Sequence, residues 1–209
     1  MEGFITEPKE IERKSFEIIE ERLSGFCFPP GSRDIVKRVI HTTADFDYAD
    51  NLVFSEGVID RGIRALKEEA AIVTDTMMAY SGINKKAVSE LGCSVHCFMA
   101  DKDVAEEAEK RRITRAMVSM ERAAALEKRL ILAVGNAPTA LIAIYEMVRD
   151  GRLDPELIVA VPVGFVNVRE AKELIIGSGI PHIAARGNKG GSNVAAAVMN
   201  ALLYRAAGR

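Results

Sequence analysis

The strongest constraint on the fold is a regular alternation of short apolar runs and helical segments that begins near residue 51. The segments between the runs space their apolar residues as one face of a helix does. Strands that read as continuous apolar runs and alternate with helices are typical of a parallel sheet covered on both faces. The sequence therefore predicts a single doubly wound α/β domain with a mostly parallel sheet of five or six strands. The predicted strands are Asn51–Phe54, Ala71–Thr74, Ser94–Phe98, Leu130–Val134, Leu157–Val161 and His182–Ala185.

Two helices are predicted before this alternation. The first has Pro8 in its first turn and ends near Gly25, and the second begins with Ser32 as its cap. We expect these N-terminal helices, about residues 7–44, to pack at the pocket of an α/β core that spans about residues 51–207. No linker, low-complexity tract or internal repeat divides the sequence, so one domain is expected to include the whole chain.

The second predicted helix carries a histidine on its polar side. Its apolar stripe consists of Ile35, Val36, Val39 and Ile40. His41 points away from that stripe in the last turn, with Arg38 as its neighbour three residues earlier. A helix C-terminus favours a protonated imidazole, which suits a proton donor that works near neutral pH. The same pattern is also that of a solvated surface histidine, and the spacing alone leaves both interpretations open.

The segments that follow the predicted strands are rich in glycine. In a doubly wound sheet, ligands bind outside the carboxyl ends of the strands. Asp75, Gly135-Asn136-Ala137, Pro162-Val163-Gly164 and Arg186–Ser192 all follow predicted strands. Free N–H groups in such turns and at helix N-termini attract anions, and Arg186 and Lys189 add positive charge. The sequence indicates a multiply anionic ligand, although ordinary strand-to-helix turns are also rich in glycine.

Arg115 has two interpretations as well. It lies on a helix with a clean apolar stripe and is expected to project from another side, together with Ser119 and Arg122. Its guanidinium is either solvated or a planar clamp for a carboxylate.

Charge, hydropathy and motif spacing exclude several classes of protein. A net charge of −2 gives no general attraction to nucleic acid or to anionic membranes, and no apolar run is long enough to cross a bilayer. Residues 1–7 lack the pattern of an export signal and the chain has three cysteines, so a cytoplasmic location is expected. P-loop and dinucleotide-binding glycine motifs are missing. Cys93 and Cys97 would face away from His96 on a strand, so no metal site is expected there.

A series of motifs, in order along nearly the whole chain, resembles the precorrin-8X methylmutase family and its cobalt-precorrin-8 relatives in the corrin branch of vitamin B12 biosynthesis. Ala171, where a serine is expected, and Asn188, where a basic residue is common, depart from the family pattern. The matching motifs are Ser15–Ile19, Arg38–Phe46, Leu52–Ser55, Thr74–Met78, Thr114–Met117, Gly135–Leu141, Pro162–Val166 and Gly187–Ser192.

The resemblance implies an isomerase that moves a methyl group from C11 to C12 of precorrin-8X or cobalt-precorrin-8, giving hydrogenobyrinic or cobyrinic acid. It implies His41 as the catalytic residue, a tetrapyrrole substrate, no cofactor or protein-bound metal, and a homodimer. The family's substrate contacts match Ser15, Arg38 and Arg115. Further substrate-binding residues are predicted in the matched motifs: Asp75, Asn136, Lys189, Gly190, Gly191 and Ser192.

Two rival functions remain open at this point. One is another flavodoxin-like enzyme, which would bind a phosphorylated cofactor at the same glycine turns. The other is a tetrapyrrole carrier, which would bind the corrinoid without rearranging it.

Overall fold

The computed structural model describes residues 4–209, so residues 1–3 of the segment inspected for an export signal lie outside the described part. The strands are β1 (Leu52–Phe54), β2 (Ala71–Thr74), β3 (Ser94–His96), β4 (Leu130–Val134), β5 (Leu157–Ala160) and β6 (His182–Ala185). The helices are α1 (Pro8–Arg22), α2 (Arg33–Thr43), α3 (Tyr48–Asn51), α4 (Val58–Lys67), α5 (Met77–Gly82), α6 (Lys85–Glu90), α7 (Lys102–Arg111), α8 (Arg115–Ala124), α9 (Pro138–Arg149), α10 (Val168–Ile176) and α11 (Ser192–Ala206).

The strands form one mixed sheet in the order β1-β6-β5-β4-β2-β3. Strands β2 to β6 are parallel and follow the flavodoxin-like order, which confirms the predicted α/β architecture. Strand β1 is antiparallel to β6, with Leu52 opposite Ala185, and forms one edge of the sheet. The chain changes direction across the sheet at β2, which lies between β3 and β4, so the topological switch point lies between the carboxyl ends of β2 and β4.

Each face of the sheet has its own hydrophobic core. Helices α2, α4, α5 and α11 cover one face together with Ile131 and Ala133 of β4. Helices α8, α9 and α10 cover the other, together with Leu132 and Val134. Alternate residues of one strand therefore point into different cores, and both sets are apolar. This is why the strands read as unbroken apolar runs in the sequence.

The N-terminal helices belong to the first of these layers. Helix α2 packs along α11, and α1 packs on α2 through Ile19 and Leu23, which are buried. The expected cap at Ser32 is wrong, because the Ser32 hydroxyl donates to the carbonyl oxygen of Pro29 at 2.8 Å and makes no capping bond. Helix α1 also ends at Arg22, three residues before Gly25. No helix in residues 4–209 is long and apolar enough to span a bilayer.

Candidate active site

His41 lies in the last turn of α2, on the side opposite the buried stripe, as predicted. The helix ends at Thr43, after which Ala44 adopts a left-handed conformation with φ of 54°. The crossing of α1 over α2 brings two side chains of α1 to the imidazole. The Ser15 hydroxyl lies 2.9 Å from His41 Nδ1, and the Phe16 ring stacks on the imidazole with centroids 4.8 Å apart and planes at 15°. The ring is therefore fixed in orientation although the residue is exposed.

The contact with Ser15 determines which nitrogen of His41 is left for a ligand. A hydroxyl can accept the Nδ1 proton of an imidazolium or donate to Nδ1 of a neutral ring. When the ring is protonated, Nδ1–H is taken up by Ser15 and Nε2–H remains free. The arrangement is that of a positioned acid. The Nδ1 proton of His41 is hydrogen-bonded to the Ser15 hydroxyl, and the Nε2 proton is available to a ligand.

Arg38 and His41 line the same cavity, of about 240 Å³, between α2 and the first half of α11. Polar groups are supplied there by Thr42, Asn193 and Asn200. The guanidinium of Arg38 lies 4.6 Å from the ring centroid of Tyr204, and no acidic side chain in residues 4–209 forms an ion pair with it. Cation–π contact orients this arginine while leaving its charge for an anionic ligand.

Arg38 also lines an adjoining cavity of about 240 Å³ on the other side of its side chain. This second cavity is basic, because Lys37, Arg205 and Arg209 line it along with a single carboxylate, Asp34. Lys37 is paired with Glu20 at 2.7 Å, whereas the guanidinium of Arg205 donates to a backbone carbonyl. The surroundings of His41 are thus positively charged in an otherwise slightly acidic protein.

The strand-end turns are packed against one another, as the glycine pattern indicates. A Cβ on Gly135 would lie 2.7 Å from Ser192 Cα, and one on Gly190 would lie 2.1 Å from the carbonyl oxygen of Val161. The Ser192 hydroxyl lies 2.8 Å from that of Thr76, which follows β2. Glycine is required at both positions because no side chain fits between these backbones. The turns after β2, β4, β5 and β6 therefore form one continuous surface.

Asp75, which follows β2, stabilises this surface by hydrogen bonds to the turn after β4. Its carboxylate accepts the N–H groups of Gly135, Asn136 and Ala137 at 2.8, 2.8 and 2.7 Å. Burial raises the pKa of the Asp75 carboxyl, and the three N–H donors act in the opposite direction. The prediction that Asp75 contacts the substrate does not fit this position, since only 1% of the residue is exposed and both oxygens are engaged. Asn136 is exposed beside it and keeps its side chain free for a ligand.

Lys189, a predicted substrate contact, is paired with two carboxylates of the same chain. Its ammonium lies 2.6 Å from Asp45 Oδ2 and 2.5 Å from Asp47 Oδ2, and these carboxylates raise the pKa of Lys189. The pairing ties the loop after β6 to the segment that follows α2, so it fixes the distance between that loop and the helix of His41. Gly190 and Ser192 are the parts of this motif that remain for backbone contacts, whereas the N–H of Gly191 donates to the carbonyl oxygen of Val161 at 2.9 Å.

Arg115 is not brought into the cavity of His41. It is the first residue of α8, which packs on the opposite face of the sheet from α2. The Thr114 hydroxyl lies 2.9 Å from that of Thr139 at the start of α9, so Arg115 is near the edge formed by the strands' carboxyl ends. Its side chain is exposed and lines a shallow depression with α7. Ser119 does not project with it, because Ser119 is buried and bonded to Met99 Sδ.

The sequence interpretation missed Lys172, a buried lysine of α10. Its ammonium donates to the carbonyl oxygens of Gly187 and Lys189 at 2.9 and 2.7 Å, and burial lowers its pKa to about 8. The signal was visible in the spacing. Val168, Ala171 and Ile175 form the buried stripe of α10, and Lys172 occupies a position within it. A lysine inside an apolar stripe indicates a buried charge with fixed partners.

Comparison with known proteins agrees with this geometry. The family model described as precorrin-8X methylmutase matches residues 10–205. The chain is 44% identical to the cobalt-precorrin-8 methylmutase of Salmonella typhimurium, over 96% of this chain and 97% of that protein. It is 42% identical to the cobalt-precorrin-8 methylmutase of Leptospira interrogans, over 93% of this chain and 92% of that protein.

A solved structure extends the agreement to three dimensions. The crystal structure of a precorrin-8X methyl mutase from Thermus thermophilus matches with a TM-score of 0.86 at 35% identity, covering 95% of this chain and 98% of that one. The sequence matches cover nearly the full length of each relative, and the structural match covers nearly the full length of the Thermus thermophilus protein. The chain therefore belongs to the precorrin-8X methylmutase family and is an isomerase of the methylmutase type.

Proposed function

We propose that this chain moves the methyl group at C11 of the precorrin-8 macrocycle to C12, and that His41 is the proton donor. The observation that carries the proposal is the fixing of the His41 imidazole by Ser15 and Phe16 beside Arg38. A structural histidine of the same exposure would not need both a hydroxyl on Nδ1 and an aromatic ring on its face.

The chemistry requires only one positioned acid. Nε2–H of His41 donates a proton to a ring nitrogen and draws electron density toward it. The methyl group then leaves C11 with its bonding electron pair and forms a new bond to the adjacent C12. The product is more conjugated than the substrate, so a rigid pocket that favours the flatter, product-like ring stabilises the transition state. The proton returns to His41 when the ring nitrogen is released.

The charges of the pocket fit a corrinoid that carries many carboxylates. Arg38 and Arg205 have no acidic partner among residues 4–209, and the loop at residues 187–190 has N–H groups without an acceptor among the described residues. A charge-assisted contact to a carboxylate is about twice as strong as a neutral one. The same features argue against a cofactor with a single phosphate, which would need one anion site and not several.

We further propose that the natural substrate is cobalt-precorrin-8, with cobyrinic acid as the product. The support is that the relatives from Salmonella typhimurium and Leptospira interrogans, at 44% and 42% identity, are named cobalt-precorrin-8 methylmutases. The cobalt ion belongs to the substrate. The test is to incubate the purified protein with the cobalt-loaded and the metal-free macrocycle and compare the kcat/KM values by absorption spectroscopy. A higher kcat/KM for the metal-free ring would contradict the preference, and binding of both rings without methyl migration would identify a carrier.

A homodimer in the cytoplasm is also proposed. Its support is a set of exposed apolar side chains after β5 and β2, at the same edge of the sheet: Val163, Phe165, Val166, Met77 and Met78. Phe165 is 92% exposed, and apolar groups of this size on a surface mark an interface. The cysteines Cys27, Cys93 and Cys97 are free thiols, which suits a reducing compartment.

A further inference from the structure

Lys172 is a fully buried ammonium group with no carboxylate partner among residues 4–209. Burying an unpaired charge is costly, so a lysine persists at such a position only when it is needed there. Its partners are the carbonyl oxygens of Gly187 and Lys189, which belong to the loop between β6 and α11. The charge is thus stabilised by two backbone dipoles, and these dipoles belong to the glycine loop at the sheet edge.

The planarity of the peptide bond determines how these two hydrogen bonds orient the N–H groups of the loop. In a trans peptide the carbonyl of one residue and the N–H of the next point in opposite directions. Because the carbonyls of Gly187 and Lys189 point inward to Lys172, the N–H groups of Asn188 and Gly190 point outward. Neither N–H has an acceptor among the described residues, whereas the N–H of Gly191 points inward and donates to Val161 at 2.9 Å.

We propose that Lys172 is a positioning residue that turns the N–H groups of Asn188 and Gly190 outward to bind one peripheral carboxylate of the corrinoid. The ammonium also polarises these two peptide groups, which strengthens their N–H donors. The start of α11, a helix of 15 residues, follows immediately and adds its dipole to the same site. The inference rests on the proposed function for the identity of the ligand, and it assigns Lys172 to substrate affinity and not to proton transfer.

The first test compares Lys172→Met with Lys85→Met. Lys85 is a matched control, because its ammonium also donates to two carbonyl oxygens, those of Tyr80 in α5 and Ile83 directly after it. Lys172→Met should raise KM for the macrocycle by about 10–100-fold and change kcat less than about threefold, since two backbone contacts are lost and His41 is untouched. Lys85→Met should leave both values unchanged. An unaltered KM in a folded Lys172→Met protein would overturn the proposal.

The second test needs no variant and covers the case in which Lys172→Met fails to fold. Metal-free hydrogenobyrinic acid is titrated into ¹⁵N-labelled wild-type protein, and the amide resonances of Asn188 and Gly190 are followed by NMR. Both protons should move downfield as they bond to a carboxylate. If the His41 ring resonances shift and these two amides do not, the assigned role of Lys172 is wrong while the proposed function stands. If no resonance shifts with either hydrogenobyrinic acid or diamagnetic cobalt(III) cobyrinic acid, the proposed function itself is contradicted.

Discussion

His41 and Lys172 show two ways in which this chain holds a single ionisable side chain. His41 is exposed, and its orientation comes from a hydroxyl and an aromatic ring on the neighbouring helix α1. Lys172 is buried, and its orientation comes from two carbonyl oxygens of a loop. The exposed group can exchange its proton with a ligand, which suits a catalytic acid. If the buried group loses its proton, the two carbonyl oxygens of the loop lose their charged donor, so Lys172 suits a structural role.

The burial of Lys172 predicts a pH dependence of stability. Its pKa is about 8 in the folded chain against an ordinary value of 10.5. Below about pH 8 both states carry the proton, and the cost of burying the charge is fully present. Between these two values the unfolded chain holds a proton that the folded chain has lost, so the contribution of Lys172 to the free energy of unfolding rises with pH. We therefore expect the unfolding free energy of the wild type to rise relative to that of Lys172→Met between about pH 8 and pH 10.5.

Denaturant unfolding of both proteins at several pH values through the window measures that difference. Titration of all other groups cancels in the comparison, because the two chains differ at one position. A difference that stays constant with pH would show that Lys172 has an ordinary pKa.

At the residue scale, the sequence predicts positions better than partners. That His41 lies off the buried stripe in the last turn of α2 follows from helical spacing alone. Its contact with Ser15 joins residues 26 positions apart and depends on the angle at which α1 crosses α2. The pairing of Lys189 with Asp45 joins residues 144 positions apart. Such contacts depend on tertiary packing, so the carboxylate partners of Lys189 were not predicted from the sequence.

At the scale of elements, the cavity of His41 is built between two helices that are far apart in the chain. Helix α2 packs along α11, and the loop before α11 is joined to the segment after α2 through Lys189. A shift of α11 would therefore move the glycine loop and the helix of His41 together. This coupling keeps the acid and the backbone anion site at a fixed separation.

Arg115, the first residue of α8, is a predicted substrate contact that lies outside the cavity of His41. Arg115 is exposed at the helix N-terminus, near the edge where the other strand-end turns lie, and it has no acidic partner among residues 4–209. If it binds a substrate carboxylate, Arg115→Ala should weaken binding of the product corrinoid by about 10–100-fold and leave the melting temperature unchanged. The control is Arg112→Ala, because Arg112 lines the same depression but lies outside the matched motif. Equal affinities for both variants and wild type would reassign Arg115 to solvated surface.

The predicted strands β2, β4, β5 and β6 agree with the structure to within one residue because each is buried on both faces. The edge strands β1 and β3 are only partly buried and are shorter than predicted. The antiparallel direction of β1 was not predicted. It is only three residues long, and its direction depends on where α3 places the start of the strand relative to β6. The glycine turns were recognised as a group, but Asp75 was assigned to the ligand because a carboxylate after a strand looks the same whether it binds a substrate or a backbone turn.

At the scale of the whole molecule, the sheet divides the protein into two unlike faces. The face with α2 and α11 carries His41 and the basic cavities, and the face with α8, α9 and α10 carries Lys172 beneath the loop. Both faces meet at the edge where the strands' carboxyl ends lie. The exposed apolar loop at residues 163–166 lies at this edge, next to the proposed carboxylate site.

The proposed dimer makes a prediction about this loop. Phe165 is almost fully exposed in a single copy, so Phe165→Glu should leave the fold intact and shift the protein from dimer to monomer. Light scattering after size-exclusion chromatography measures the molar mass. Phe4→Glu is a suitable control, because Phe4 is also exposed but is not one of the apolar residues after β2 and β5. A dimer that survives Phe165→Glu would place the interface elsewhere.

His41 is the proposed donor of the proton that drives methyl migration, and the variant His41→Asn tests this role. Asparagine keeps the polarity of the side chain and removes the titratable proton, and the position is not in the core, so folding and product affinity should be preserved. His96→Asn is the matched control, since the His96 ring is bonded to Ser94 near β3 and lies outside the cavity. Methyl migration is followed by NMR at saturating substrate. We predict a fall in kcat of about 10²–10⁴-fold for His41→Asn and no change for His96→Asn. A folded His41→Asn protein that moves the methyl group at close to the wild-type rate would contradict this role.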